Sequence, residues 1–408
     1  MKISLRPRRA PAPNGLETER VELRHLNPSL LFLIVFSIYN LLGLTDTPWT
    51  GTGAYDKTLG WELFLTGLSG FGMVFAIFGR KSKIVISEKL KPRTSIQLSF
   101  LFFIIFVTAL AAAIVLCGGI PLFQGEDRFG NSALAFNLAQ LYGFWILVRI
   151  ISDAESNRRI RPFQPIIYLL GVVCFGYRTP ILIFAIVIFV YFVTFKFSIK
   201  RSLASGFIVG VFIVGFAAAF SGYRISQNYD IFLFFKNINF QYINNHPYLL
   251  PFVPALAMFD FSQETVYKIG AHLHDYMYGN LFISNYETFL PGKHLGARNI
   301  IGALTEARWV AGRPMSITPT LQGALFVDFG YIGVFLGFCL LAFGISYLSK
   351  RSQRGGVLGK FSFCYLLTLS IMAVHNGYWD AGFVFFLLFL CIIRIFDMLK
   401  VNFRSKRA

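Results

Sequence analysis

Ten long apolar runs are the feature of this sequence that most limits what it can fold into. A helix of about 20 apolar residues crosses the hydrocarbon core of a bilayer, where each backbone polar group must be bonded within the segment. The runs lie near residues 29–45, 60–79, 98–117, 133–149, 164–177, 179–195, 203–220, 330–349, 359–375 and 381–398. We therefore predict an all-α, polytopic integral membrane protein with about ten transmembrane helices, forming a single membrane domain over residues 1–408.

The basic residues predict how these helices are oriented. The chain has 38 Lys and Arg against 20 Asp and Glu, which gives a net charge of +18. With a cytoplasmic N-terminus, the segments that face the cytoplasm carry 28 of the 38 basic residues, in agreement with the positive-inside rule. Both termini are then predicted to be cytoplasmic. The basic residues lie between the apolar runs rather than on one soluble domain. They therefore do not indicate a surface for nucleic acid, and we expect no nucleic-acid partner.

Motifs for metal and cofactor chemistry are missing from the sequence. The five cysteines all fall in or at the ends of apolar runs, so they provide neither a disulfide framework nor metal-ligand spacing. The sequence also has no glycine-rich phosphate loop followed by Lys and Ser or Thr, and no His-Glu-x-x-His. We expect neither a metal nor a cofactor.

One loop is far longer than the others. Residues 221–320, between spans seven and eight, are predicted to lie on the periplasmic side. The beginning of this loop is aromatic and apolar, which is typical of a membrane interface. Further on, Val266, Ile269 and Leu273 recur at helical spacing and predict a helix within residues 260–280.

Three arginines of the predicted outer face lie close to span ends: Arg128, Arg178 and Arg224. An arginine keeps its proton, and its planar group of donors suits phosphate oxygens. We predict that the three bind a membrane-anchored pyrophosphate and are catalytic. Anchoring to lipid phosphates, or pairing of Arg128 with the neighbouring acidic residues, is the alternative.

Arg178 carries this hypothesis furthest. The apolar runs on either side of it are shorter than the roughly 20 residues needed to cross a bilayer, so its hairpin is predicted to turn below the outer surface. Gly176 and Pro180 flank the turn, as a tight corner requires. A fixed cation at membrane depth usually marks function.

Further residues complete the predicted site. Glu306 and Asp328 are the candidate general bases, although a carboxylate at the position of Asp328 also suits a helix start. The candidate substrate-binding residues are Arg298, Arg308, Arg313, His294, Tyr177, Tyr223, Gln322 and His375. For His294 a solvated loop position, and for His375 helix capping, explain the sequence as well.

With these residues in view, the chain resembles the bacterial O-antigen polymerases, which are related to the O-antigen ligases. Four features carry the resemblance: Gly118-Gly-Ile-Pro-Leu-Phe123, the corner Gly176-Tyr-Arg-Thr179, the large loop, and Thr318-Pro-Thr-Leu-Gln-Gly323 running into Asp328-Phe-Gly-Tyr-Ile-Gly333. The related ligases have a histidine shortly before the acidic-Gly element. Here that stretch reads Ile317-Thr-Pro-Thr320, which favours a polymerase.

The resemblance implies a glycosyltransferase C-like enzyme of the bacterial inner membrane that works at the periplasmic face. It would transfer a glycan from undecaprenyl pyrophosphate to the non-reducing end of a second lipid-linked repeat unit, as a metal-independent glycosyltransferase. Membrane lipids, a chain-length regulator and a flippase are the implied partners. Preorganised arginines suit this chemistry, because charge develops on the departing pyrophosphate oxygen.

Two alternatives remain from the sequence. An O-antigen ligase would move the glycan onto a lipid core instead. A flippase or other transporter of lipid-linked sugars would carry ionisable groups near the middle of the membrane. The spans have almost no charge at that depth, and the arginines gather at one side, so a one-sided enzyme is favoured.

Overall fold

The computed structural model describes most of the chain as helices. The described residues are 26–49, 55–78, 96–123, 133–177, 179–198, 200–202, 204–211, 215, 238–287, 294–306, 309–310, 313–380 and 382–405. The helices are α1 (Pro28–Leu44), α2 (Thr58–Phe78), α3 (Ile96–Leu116), α4 (Ala133–Glu155), α5 (Phe163–Cys174), α6 (Thr179–Phe195), α7 (Phe240–Asn245), α8 (Val253–His272), α9 (Asn280–Glu287), α10 (Ala297–Leu304), α11 (Leu321–Ser352), α12 (Gly356–Asn376) and α13 (Gly382–Ser405). Short 3-10 turns cover Pro121–Phe123 and Pro247–Phe252, and the strands β1 (Trp309–Val310) and β2 (Arg313–Pro314) pair antiparallel.

Apolar helices lie where the sequence predicted membrane spans. Five of them, α2, α3, α4, α11 and α12, are long and apolar enough to cross a membrane, and α1, α5, α6 and the first part of α13 are shorter apolar helices. Predicted span seven, 203–220, lies largely outside the described residues, although residues 204–211 are helical. The all-helical fold is confirmed and fits a membrane protein, while the count of ten spans and the side of the large loop stay predictions.

Two helices begin earlier in the chain than the predicted segments. The helix assigned to span eight begins at Leu321 rather than at residue 330, because Thr320 Oγ1 accepts a hydrogen bond from Gly323 N at 3.2 Å and caps the helix there. Gly330 then interrupts it with φ 64° and ψ −158°, a backbone conformation that favours glycine. The helix expected within residues 260–280 is α8, which begins earlier, at Val253, and ends at His272.

The apolar core lies between closely packed helices. A Cβ added at Gly70 of α2 would lie 2.5 Å from the carbonyl oxygen of Phe335 in α11, so only glycine permits this approach. Buried phenylalanine rings fill the space beside the contact, with Phe36 and Phe338 at a centroid distance of 4.7 Å. Small residues at helix contacts are typical of membrane bundles, where close packing replaces the hydrophobic effect.

Charged contacts mark one end of the bundle, which we call the basic end. The carboxylate of Glu155, at the end of α4, lies 2.6 Å from Lys360 Nζ of α12 and 3.3 Å from Lys196 Nζ, just after α6. Tyr191 of α6 also donates to it at 2.5 Å. One carboxylate therefore joins the ends of three helices.

The opposite end, which we call the loop end, collects the connecting segments. Gly43, near the end of α1, lies against α8 so tightly that a Cβ there would be 2.6 Å from Phe259 O. The beginning of α11 and the end of α12 also meet here, since a Cβ at Gly377 would be 2.9 Å from Pro319 Cγ. The loop end therefore brings residues from all parts of the sequence together.

Candidate functional site

The connection between α12 and α13, residues 375–382, organises the loop end. His375 contacts α1 and α8, Tyr378 contacts α11, and Asp380 faces α4 and α10. The backbone of Trp379 is also held, because its carbonyl accepts from Asn285 Nδ2 of α9. This short segment is therefore fixed along its length by contacts to six helices.

Asp380 lies at the centre of a group that we call the acidic cluster, formed with Gln140, Tyr286, Arg298 and Tyr365. Its Oδ1 accepts from Gly382 N at 3.0 Å. A Cβ at Gly382 would lie 2.9 Å from Asp380 Oδ1, 3.3 Å from Gln140 Oε1 and 3.5 Å from Tyr365 Oη, so three side-chain oxygens converge on this glycine. Tyr365 lies about three turns before the end of α12, which shows that the segment dips back into the bundle.

Arg298 supplies the positive charge of the acidic cluster. It lies in the first turn of α10, is partly exposed, and interacts electrostatically with Asp380. Burial lowers the pKa of Arg298 and Asp380 opposes that shift, and the guanidinium keeps its charge at neutral pH. A fixed cation beside a carboxylate can hold a phosphate while leaving the carboxylate available for a proton.

Burial also shifts the pKa values of Asp380 and Tyr286 in the acidic cluster. It raises the pKa of Asp380, against the opposing effects of Arg298 and the Gly382 amide. Burial and the charge of Asp380 together raise the pKa of Tyr286 to about 12. Tyr286 is therefore protonated at neutral pH and can act as a hydrogen-bond donor.

His375 belongs to a second polar group. Its Nδ1 lies 2.6 Å from Tyr39 Oη and 3.4 Å from Ser262 Oγ, and Tyr39 Oη is 2.6 Å from Ser262 Oγ. These contacts join α12 to α1 and α8. His375, predicted to bind substrate, is thus placed at the loop end, but with one ring nitrogen engaged by protein groups.

Gln322 lies in a buried group of amides. Its Nε2 and that of Gln263, at 3.2 Å, both donate to Asn40 Oδ1, and Asn40 Nδ2 donates to Phe36 O at 2.9 Å. All three amides are almost fully buried. Gln322 therefore joins α11 to α1 and α8, and its predicted contact with substrate stays a prediction.

Asp328 is fully buried and accepts four hydrogen bonds. Its Oδ1 accepts from Gly279 N at 3.1 Å and Leu281 N at 3.0 Å, and its Oδ2 accepts from Phe282 N at 3.1 Å and Tyr378 Oη at 2.6 Å. The carboxylate caps the beginning of α9, a helix remote in sequence, rather than its own helix. Both oxygens are occupied, and this geometry favours a structural role over that of a base.

Glu306, the other predicted base, lies on the surface. Its side chain is 76% exposed, and its Oε1 is 3.9 Å from His272 Nδ1. Its φ of 53° places it in the turn after α10. The side chain is therefore mostly surrounded by solvent, and its catalytic role stays a prediction.

Several other predicted residues are placed by the structure in part. Tyr177 stacks on Phe136 of α4 at a centroid distance of 4.1 Å, one turn from Gln140 in the acidic cluster. His294 is partly exposed and leads into α10, and the backbone of Arg313 lies in β2.

Tyr223 and the arginines at 128, 178, 224 and 308 lie outside the described residues, so their roles stay predictions. Gly176, before Arg178, has φ 72°, so the tight corner there is confirmed.

Comparison with known proteins decides the family. A sequence-family model described as "Putative O-antigen polymerase" matches residues 25–388, nearly the whole chain. The chain belongs to this family. Its membership implies glycosyltransferase-type activity in polysaccharide synthesis, with lipid-linked oligosaccharides as substrates at a membrane. No curated protein and no solved structure gives a significant match.

Asp380 is the residue of this site that the sequence analysis missed. In the sequence it is only the last residue of the stretch His375-Asn-Gly-Tyr-Trp-Asp380, between two apolar runs. The available signal was the glycine two positions later, which allows the carboxylate to approach the helix start closely. Gln140 and Tyr286 gave no signal, because their proximity to Asp380 depends on the packing of distant helices.

Proposed function

We propose that this protein polymerises lipid-linked oligosaccharide repeat units at the periplasmic face of the bacterial inner membrane. It transfers a glycan from undecaprenyl pyrophosphate to the non-reducing end of another undecaprenyl-pyrophosphate-linked repeat unit, in O-antigen, capsule or exopolysaccharide synthesis. The observation that carries the proposal is the family match over residues 25–388.

The loop end supports this proposal by its chemistry. It combines a cation, Arg298, a partly exposed carboxylate, Asp380, and aromatic side chains such as Tyr177 and Phe136 within one end of an apolar bundle. Sugar transfer from a lipid pyrophosphate needs these three groups: a cation for the phosphates, an acceptor for the proton, and flat apolar surface for sugar rings. The lipid tails would lie beside the helices.

The arginines bind the leaving group in this proposal. Arg128, Arg178 and Arg224 hold the two phosphates and stabilise the charge that develops on the bridging oxygen, and Arg298, Arg308 and Arg313 bind substrate. Removing one preorganised donor of this kind costs about 3 to 4 kcal/mol of activation free energy. Pyrophosphate is a good leaving group once its charge is neutralised, and the proposed reaction is metal-independent.

The test is the surface polysaccharide of a deletion strain complemented with variants. We expect the deletion to leave a single repeat unit on the lipid core, and the intact gene to restore a ladder of long chains on a gel. Arg178→Ala, and nearly as much Arg178→Lys, should fail to restore the ladder. Arg354→Ala is the matched control, because Arg354 is exposed and follows α11 at the basic end.

Other outcomes identify other functions. A deletion strain with no repeat unit on the core indicates a ligase, and one that retains units inside the cell indicates a flippase. A full ladder from Arg178→Ala cells, with the protein present at normal abundance, would remove Arg178 from the catalytic machinery. Co-purification of a chain-length regulator or a flippase would support the proposed partners.

A further inference from the structure

We infer that Asp380 is the general base of the transfer reaction, the group that accepts the proton of the acceptor hydroxyl. This inference rests on the proposed function and assigns a role in it to a residue that neither the sequence motifs nor the family match singles out. It follows from a comparison of the carboxylates that the structure places at the loop end.

Four other described carboxylates at the loop end are engaged or poorly placed. Asp328 has both oxygens occupied by four donors, and Glu306 is 76% exposed. Asp260 is buried and accepts from Tyr55 Oη at 2.9 Å, and Glu264 is buried and lies 3.1 Å from Lys268 Nζ. A base needs an oxygen that substrate can reach and protein groups that orient the carboxylate. Asp328, Asp260 and Glu264 are buried and engaged, and Glu306 is mostly surrounded by solvent rather than held by protein groups.

Asp380 has one oxygen fixed and one oxygen available. Oδ1 accepts from Gly382 N at 3.0 Å, which sets the orientation of the carboxylate. In the part of the chain that the structure describes, Oδ2 accepts no hydrogen bond, and the residue is partly exposed. A carboxylate that is oriented by one oxygen and open at the other suits proton transfer.

Beneath Asp380 lies a buried hydroxyl without a partner. Tyr365 is fully buried, and its Oη has no hydrogen-bond partner among the described residues, although it lies close to Gly382 and to the carboxylate. A buried polar atom of this kind usually has a partner in a working state of the protein.

The charges around Asp380 suit its role. Tyr286 of α9, Arg298 of α10, Gln140 of α4 and Tyr365 of α12 face it, and Arg298 is the one charged side chain among these four. Burial raises the pKa of Asp380, which makes the carboxylate a stronger base, while the positive charge of Arg298 opposes that rise. A base is most effective when its pKa approaches the working pH.

In the proposed step, the acceptor sugar attacks the donor glycan as Asp380 takes up its proton. The acceptor oxygen forms a bond to the anomeric carbon of the donor glycan, and its proton passes to Asp380 Oδ2. The bond between that carbon and the pyrophosphate oxygen breaks, and the pyrophosphate leaves with the electron pair. Asp380 afterwards releases its proton to water, which restores the carboxylate.

Asp380→Asn is the direct test. The amide keeps an oxygen for the Gly382 amide but cannot accept the proton. With purified protein and the lipid-linked repeat unit extracted from the deletion strain, we expect the rate of polymerisation to fall by roughly 10²- to 10⁴-fold. Asp46→Asn is the matched control, because Asp46 is also near the loop end, is 83% exposed and forms a surface ion pair with Lys57 at 3.0 Å.

The pH profile separates a base from a merely structural residue. A base works when it is deprotonated, so the rate of the wild-type protein rises with pH through the pKa of Asp380. Removal of the Arg298 charge raises that pKa further, because Arg298 lowers it in the wild-type protein. We therefore expect Arg298→Gln to move the acidic limb of its residual activity to higher pH.

Each outcome decides the inference. Near-normal polymerisation by folded Asp380→Asn, or an acidic limb that stays in place in Arg298→Gln, overturns it. If Asp380→Asn does not accumulate as folded protein, two other measurements decide instead. These are the position of the acidic side of the pH–rate profile of Arg298→Gln, and the activity of Asp380→Glu, which we expect to be partial. Failure of the wild-type protein to polymerise overturns the proposed function, which is a separate result.

Discussion

The role of Asp328 leads to a prediction about local stability. Its carboxylate holds the first amides of α9, at Gly279, Leu281 and Phe282, and also the hydroxyl of Tyr378. Asp328→Asn keeps an oxygen for the first two amides. It places an NH₂ group opposite the Phe282 amide, so that a donor faces a donor, while the Tyr378 hydroxyl can rotate to accept.

The size of the effect follows from these contacts. A hydrogen bond to a charged acceptor contributes about 1.5 to 3 kcal/mol, so the loss of the Phe282 bond in a fully buried site costs roughly 2 to 4 kcal/mol. Asp328→Ala removes all four bonds, and the simple sum of roughly 6 to 12 kcal/mol is an upper limit. Contributions of neighbouring bonds overlap, and water can enter the space that the side chain leaves.

Amide hydrogen exchange measures this effect where it occurs. If the loss of 2 to 4 kcal/mol acts on the opening of α9, the Phe282 amide of Asp328→Asn exchanges roughly 30- to 700-fold faster. Amides in the middle of α12 serve as the internal control. Unchanged exchange at residues 279–282 together with lost polymerisation would refute the capping role and support Asp328 as a base.

Two further substitutions test the packing of the bundle. Glu155→Gln weakens the contact to Lys360 at the basic end, and we expect a loss of about 1 to 3 kcal/mol in thermal unfolding, below the range for a fully buried pair because Glu155 is a quarter exposed. Gly70→Ala places a methyl group against Phe335 O and should cost about 1 to 3 kcal/mol. Gly72→Ala is its matched control, because a Cβ there meets nothing within 4 Å, and equal melting temperatures for the two glycine variants would contradict the close approach of α2 and α11.

The helical framework was predictable because it depends on local properties of the sequence. The nine apolar runs that lie almost entirely within the described residues coincide with helices, and residues 204–211 of the remaining run are helical as well, since length and hydropathy are sufficient to specify them. The turn at Gly176 was predictable for the same reason, because glycine there is read directly from the chain. The start of α11 was missed because Thr320 caps it with φ 60°, a conformation that threonine rarely adopts.

The arrangement of the site was not predictable because it depends on packing between distant segments. Asp328 is two residues before Gly330, which suggested a helix start, but its bonds go to amides almost 50 positions earlier in the chain. Arg298 was identified by its charge. Its neighbour Asp380, however, is far away in the sequence, because α11 and α12 lie between the two residues. Charge type can be predicted from sequence, whereas the partner of a charge requires the fold.

The segment 375–382 explains how such a site can be held in place at the edge of a membrane. Tyr378 bonds Asp328 at 2.6 Å, and Asp328 in turn caps α9, whose Asn285 returns to the carbonyl of Trp379. This chain of hydrogen bonds fixes the backbone just before Asp380, and the Gly382 amide just after it fixes the carboxylate. Damage to Asp328 should therefore reach Asp380 through Trp379, so loss of activity alone does not distinguish the two carboxylates. The exchange of the α9 amides does, because only Asp328 touches them.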